Sequence, residues 1–159
     1  MVTVTMPDPA ATVADLPVPR RVAIATLFGE VLRTEGELAA LYGAFARRTP
    51  IPYLRAALEE LAEAKRVRVA ALAALAPALP ADGDGHPSAP EPGGTPPAPV
   101  ERRSEVFARA FESERALEAA YRELVALLGD PALCPGLGGL AAGSARHRAL
   151  LRNLYLRYS

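Results

Sequence analysis

Charged and hydrogen-bonding residues interrupt four otherwise apolar rows of this 159-residue sequence. Each row consists of residues three or four positions apart, the spacing that places side chains on one face of a helix. The interrupting residues are of types that could pair charges, hold a metal ion or transfer protons. They are Glu35 in the first row, Lys65 and Arg68 in the second, Glu114 in the third, and Ser144 and His147 in the fourth. If the four rows pack together, these residues form one polar layer.

Four predicted helices carry these rows. They cover residues 21–48, 53–76, 101–128 and 135–158, and no segment is a candidate β-strand. Proline and glycine end the first and third helices, so two short joins predict two antiparallel hairpins. We therefore predict an all-α four-helix bundle as a single domain over residues 21–158. It follows a flexible N-terminal arm, residues 1–20, that carries four prolines.

The join between the second and third helices is much longer than the other two. Residues 77–100 are rich in proline and glycine, which predicts a linker. At about 3.1 Å per residue it could reach roughly 70 Å, whereas a helix of about 27 residues measures about 40 Å. The linker could therefore cross the full length of the bundle, which predicts that the second and third helices run parallel. The alternative is a merely tolerated insertion.

Composition excludes several classes of function. Lys+Arg and Asp+Glu both total 18, so the formal net charge of zero gives no basic field for nucleic acid. A single cysteine excludes a disulfide framework and a cysteine-built zinc site. No apolar run predicts a membrane span or a secretory signal. We therefore expect a cytoplasmic protein.

The polar layer resembles the metal site of the ferritin-like superfamily, and of its rubrerythrin-type members in particular. That family places one Glu on each of two helices and Glu-x-x-His on each of the other two, around two metal ions. Glu35 is followed by Tyr42 seven residues later, and Glu114 and Tyr121 repeat this spacing in FESERALEAAY. His147 stands where the fourth-helix histidine is expected.

The resemblance covers about residues 21–76 and 101–158, but three of the six ligand positions differ. Lys65 and Arg68 stand in place of Glu-x-x-His, and Ser144 in place of the second glutamate. Two positive charges oppose metal entry by Coulomb repulsion. We therefore predict that a buried network of salt bridges and hydrogen bonds replaces the di-iron site, with no cofactor. The alternative is a boundary layer exposed where the helices splay apart.

Two main functional hypotheses follow from this resemblance. The first, favoured by the two cations of the second helix, is a non-catalytic scaffold or binding protein with an unknown protein partner. The second is a rubrerythrin-like oxidoreductase with a reduced iron or manganese site on Glu35, Glu114 and His147. In that case Glu63 or Glu118 could substitute for a missing ligand if the helical register differs. A third hypothesis is an apolar pocket for a lipid or haem-like ligand between the helices.

Lys65 is the only lysine in the sequence. A desolvated lysine could act as a base or nucleophile, but two nearby acids would keep this one charged, which favours a structural cation. The nearby aromatic residues Tyr42 and Tyr121 are interpreted as core packing.

A homodimer is a further prediction from the resemblance, because ferritin-like bundles often pair their helix hairpins. The apolar residues that lie off the four rows could form the second face. They are Leu27, Leu32, Leu41 and Val125.

Overall fold

The computed structural model describes residues 15–75, 102–129 and 134–158, and all of its regular elements are α-helices. They are α1 (Val18–Arg48), α2 (Pro52–Leu75), α3 (Arg103–Leu128) and α4 (Cys134–Tyr158). The all-α class and the two hairpins, α1 with α2 and α3 with α4, are therefore confirmed. The helices begin and end within three residues of the predicted bounds. Residues 1–14 of the predicted arm and the predicted linker, 77–100, lie outside the described residues.

Local sequence explains where the helices begin and end. Thr49 is extended because it precedes a proline, and this conformation ends α1. Pro52 occupies the first position of α2, where a missing backbone N–H has no cost. Gly129 ends α3 with a φ of 62°, in the left-handed region that favours glycine.

Contacts between the hairpins fix the direction of each helix. The Arg20 side chain near the start of α1 donates to the Leu127 carbonyl near the end of α3. At the other end of the bundle, the rings of Phe45 and Phe107 pack edge to face, with centroids 5.4 Å apart. α1 and α3 are therefore antiparallel, and α2 and α3 run in the same direction. Leu75 and Arg103 consequently lie at opposite ends of the bundle, as the crossover prediction requires.

Apolar rows from all four helices form one core. Fully buried examples are Ile24 on α1, Leu58 on α2, Leu124 on α3 and Leu151 on α4. Among the described residues, no helix is long and apolar enough to span a bilayer.

Candidate functional site

Lys65 lies at the centre of a polar layer inside this core. Its Nζ is 2.9 Å from Oε2 of Glu35 and 2.9 Å from Oε2 of Glu114, and all three side chains are completely shielded from solvent. Nζ donates a hydrogen bond to Glu114, whereas its contact with Glu35 is an ion pair without hydrogen-bond alignment. One ammonium group therefore bridges carboxylates from two different hairpins.

Two further side chains, Tyr121 and Arg68, donate hydrogen bonds to Glu35. Tyr121 on α3 donates its hydroxyl to Oε1 of Glu35 at 2.7 Å. Arg68, one turn beyond Lys65 on α2, donates Nη1 to the same oxygen at 3.3 Å and to Oγ of Ser144 at 3.3 Å. Glu35 on α1 thus interacts with side chains from two other helices.

Glu114 has a matching set of partners. Tyr42 on α1 donates its hydroxyl to Oε1 of Glu114 at 3.0 Å. The Nδ1 atom of His147 lies 3.2 Å from the same oxygen. A carboxylate can only accept, so the imidazole donates from Nδ1. With both carboxylates ionised and Lys65 and Arg68 protonated, the charges of the four groups cancel.

The protonation states of three groups follow from burial and from these contacts. Burial raises the pKa of Glu114, but hydrogen bonding from His147 and the charge of Lys65 outweigh it and keep the pKa below its ordinary value of 4.5. Burial, reinforced by the adjacent carboxylates, raises the pKa of Tyr42 and of Tyr121 far above the ordinary value of 10.0. Both tyrosines are therefore neutral donors.

Gly143 makes room for the Arg68 guanidinium. A Cβ added to this buried glycine would lie 2.1 Å from Nη2 of Arg68. Arg68 cannot move aside freely, because its Nη1 atom is held by Glu35 and Ser144. The glycine is thus required by the network, although from the sequence Gly143 is expected only to weaken the first turns of the helix.

Gly143→Ala should therefore destabilise the protein, although alanine favours helix by about 1 kcal/mol over glycine. Displacing Arg68 from Glu35 costs about 1.5–3 kcal/mol, the value of a hydrogen bond to a charged group. Chemical denaturation measures the change. Gly139→Ala is the matched control, because nothing lies within 4 Å of its added Cβ, and it should be stabilising. In an Arg68→Ala background, Gly143→Ala should not lower the free energy of unfolding. A loss of stability that persists in this background would show that the added methyl group does not act by displacing Arg68.

The structure brings together all six polar residues that sequence analysis placed in the layer. It does not bring the two suggested substitute ligands to them. Glu63 is exposed at the surface and pairs with Arg66 at 2.9 Å. Glu118 is buried elsewhere and pairs with Arg122 on its own helix and Arg148 on α4. The alternative of a solvent-exposed boundary layer is also wrong, since the central carboxylates are fully buried.

The apolar residues suggested as a second face contribute to the core to different degrees. Leu41 belongs to the core, and Leu27, Leu32 and Val125 are half-buried and pack against it. The homodimer stays a prediction.

A constant spacing relates the two halves of the network, and sequence analysis missed it. Each network residue of the first hairpin has a counterpart 79 positions later in the second hairpin. The pairs are Glu35 with Glu114, Tyr42 with Tyr121, Lys65 with Ser144, and Arg68 with His147. The two glutamate–tyrosine pairs thus lie crosswise: each tyrosine binds the carboxylate of the other hairpin. A comparison of the sequence with itself at this offset reveals the pairing.

The donor set does not suit a metal ion. No three His, Cys, Asp or Glu side chains in the described ranges form a group that could hold one. The Lys65 ammonium instead lies between the two carboxylates that a metal ion would need.

No protein-family model matches the chain, and no curated protein or solved structure is significantly similar to it.

Proposed function

We propose that this chain is a non-catalytic ferritin-like bundle in which fixed cations take the place of a di-iron site. It acts as a scaffold or binding protein. The observation that carries the proposal is the position of the Lys65 ammonium, 2.9 Å from a carboxylate oxygen of Glu35 and of Glu114. The layer thus has its own internal counter-ions and needs no metal ion to hold it together.

The arrangement of the helices supports the ferritin-like part of this proposal. One glutamate comes from each of α1 and α3, and residue pairs with i, i+3 spacing, Lys65/Arg68 and Ser144/His147, come from α2 and α4. These are the placements of the Glu and Glu-x-x-His ligands in di-iron bundles. The parallel course of α2 and α3 is also that of a ferritin-like bundle with one long crossover.

Charge and protonation support the non-catalytic part. Two hard cations need several bridging carboxylates, and here both buried carboxylates of the layer are already neutralised. Tyr42 and Tyr121 are held neutral by burial, which raises the pKa of each. The layer therefore has no open ligand position, and neither of its tyrosines gives up a proton near neutral pH.

Metal analysis tests the proposal. The full chain is purified without chelator, loaded anaerobically with Fe²⁺ and, separately, with Mn²⁺, and desalted before elemental mass spectrometry. We expect no bound iron or manganese above the level of a buffer blank treated in parallel, because the Lys65 ammonium occupies the space between the two carboxylates. Lys65→Ala vacates this space, so metal retained by that variant but not by the unmodified protein would support the role of the ammonium.

Stoichiometric iron or manganese in the unmodified protein would overturn the proposal. Loss of that metal in Glu114→Gln would then place it at the reduced site on Glu35, Glu114 and His147, and would favour the rubrerythrin-like oxidoreductase alternative.

A further inference from the structure

α4 differs in charge from the other three helices. Its 25 residues include no Asp or Glu and carry four arginines, although the whole chain has a net charge of zero. Arg148 lies 2.9 Å from Glu118 but shares this carboxylate with Arg122, so one positive charge of the three groups is not balanced. Arg152 is exposed and forms no ion pair with any of the described residues. The face of α4 that carries Arg148 and Arg152 therefore has an excess of positive charge.

A groove follows this basic helix along its contact with α3. It consists of two adjoining cavities of about 570 Å³ and 410 Å³, which share Phe111 and Arg152 in their walls. Two large apolar side chains of its wall face solvent: Leu156 is 70% exposed and Tyr155 is 40% exposed. The Arg148 guanidinium lies 5.7 Å from the centre of the Phe111 ring. The wall of the groove thus combines exposed apolar side chains with the two arginines, Arg148 and Arg152.

The dimensions of the groove fit a helix. Its α4 wall extends from Ala145 to Leu156, about 16 Å at 1.5 Å per residue, or three helical turns. Amphipathic helices bind such grooves by inserting apolar side chains at three- and four-residue spacing. The only carboxylate among the lining residues, Glu112, is itself paired with Arg115 at 2.8 Å.

We infer that this groove binds an acidic amphipathic helix of a partner protein, whose carboxylates pair with Arg148 and Arg152 while its apolar residues cover Phe111, Tyr155 and Leu156. A second copy of this chain is a poorer occupant. A symmetric dimer would place two helices without acidic residues against each other, and like charges across an interface are unfavourable. This inference rests on the proposed function and names the chemistry of the partner.

Binding of a defined probe tests the inference on the full chain. The probe is a fluorescein-labelled peptide of about 16 residues, with Leu at helical three- and four-residue spacing and Glu at the other positions. We expect a Kd of about 1–100 μM by fluorescence anisotropy, weakening as salt is added. Arg152→Glu should weaken binding about tenfold, and Leu156→Asp should also weaken it. Arg146 is also exposed on α4 but lies outside the groove lining, so Arg146→Glu should change Kd less than about twofold.

Four results would overturn the inference. The first is no binding of the probe, and the second is equal loss of affinity in the Arg146 and Arg152 variants. The third is equal binding of a peptide with Lys in place of Glu, or with Glu but no Leu. The fourth is a dimer in sedimentation that Leu156→Asp dissociates, which would identify a second copy as the occupant. None of these depends on metal content, so failure here and failure of the metal-free proposal are distinguishable.

Discussion

Lys65→Ala should lower the free energy of unfolding by about 3–5 kcal/mol, the cost of breaking a buried ion pair by removing one partner. Two completely buried carboxylates, Glu35 and Glu114, lose their shared counter-ion in this variant. Arg68 remains on Glu35 at 3.3 Å, whereas Glu114 keeps only its contacts with the Tyr42 hydroxyl and His147. Urea denaturation at neutral pH measures the change.

Two further variants separate charge from packing. Lys65→Met keeps most of the side-chain volume and should remain strongly destabilised, because it also leaves the carboxylates without the ammonium. Arg66→Ala removes a neighbouring cation whose partner, Glu63, is exposed, and should change stability by less than about 0.5 kcal/mol. Full stability in Lys65→Met would show that the loss in Lys65→Ala comes from a cavity and not from unpaired charge.

The pH dependence of the same variants gives an independent test. In the unmodified protein the pKa of Glu114 is below its ordinary value of 4.5, so its contribution is present above that pH and is lost as pH falls through the folded-state pKa. In the variant, burial still raises the pKa of Glu114 but the charge of Lys65 no longer lowers it. Glu114 of the folded variant therefore takes up a proton at a higher pH than in the unmodified protein. The deficit of Lys65→Ala should therefore shrink as pH is lowered from 7 toward about 4. A constant deficit would contradict the buried-charge explanation.

The triple variant Lys65→Glu, Arg68→His and Ser144→Glu should make the stability of the bundle depend on metal. With Glu35, Glu114 and His147 it restores the full pattern of two glutamates and two Glu-x-x-His pairs. Without metal, four carboxylates would lie in one buried layer, at a cost of several kcal/mol per unpaired charge. We expect about two Fe²⁺ or Mn²⁺ ions per chain. The free energy of unfolding should rise by about 2.7 kcal/mol for each bound ion when free metal exceeds Kd 100-fold, and thermal melting should shift upward accordingly.

The double variant Arg68→His and Ser144→Glu is the matched control. It keeps the Lys65 ammonium between Glu35 and Glu114, so it should bind no stoichiometric metal and show no metal-dependent melting. A folded triple variant that binds no metal would show that Lys65, Arg68 and Ser144 do not occupy ligand positions. Metal binding by the double variant would show that the ammonium does not block the site.

Local sequence signals were enough to predict the helices and their order. Prolines and the left-handed Gly129 end helices by backbone geometry alone, which does not depend on the rest of the fold. The length of the central linker limited the topology, because only a long connection joins opposite ends of a bundle. The position of Glu35, Lys65 and Glu114 within apolar rows predicted a shared layer, since the rows must face one core.

What the sequence could not determine was the pairing within that layer. Glu35, Glu114 and Glu118 are equivalent as residue types, and only the rotation and height of each helix decide which carboxylates reach Lys65. The rotation and height of each helix depend on side-chain packing between α1 and α3. The same packing brings the hydroxyl of Tyr42 to Glu114 and that of Tyr121 to Glu35, each in the other hairpin.

The role of Gly143 was equally hidden in the sequence. A glycine within a helix indicates weak helix propensity, and only the position of the Arg68 guanidinium, 2.1 Å from the place of a Cβ, reveals a close approach. The groove beside Phe111 likewise arises from two helices that are separate in sequence. The sequence by itself thus determined the helices, their rows and the polar layer, because these depend on local periodicity. The tertiary structure decided which side chains pair within the polar layer, the space that Gly143 leaves for Arg68, and the groove between α3 and α4, because all three depend on distances between helices.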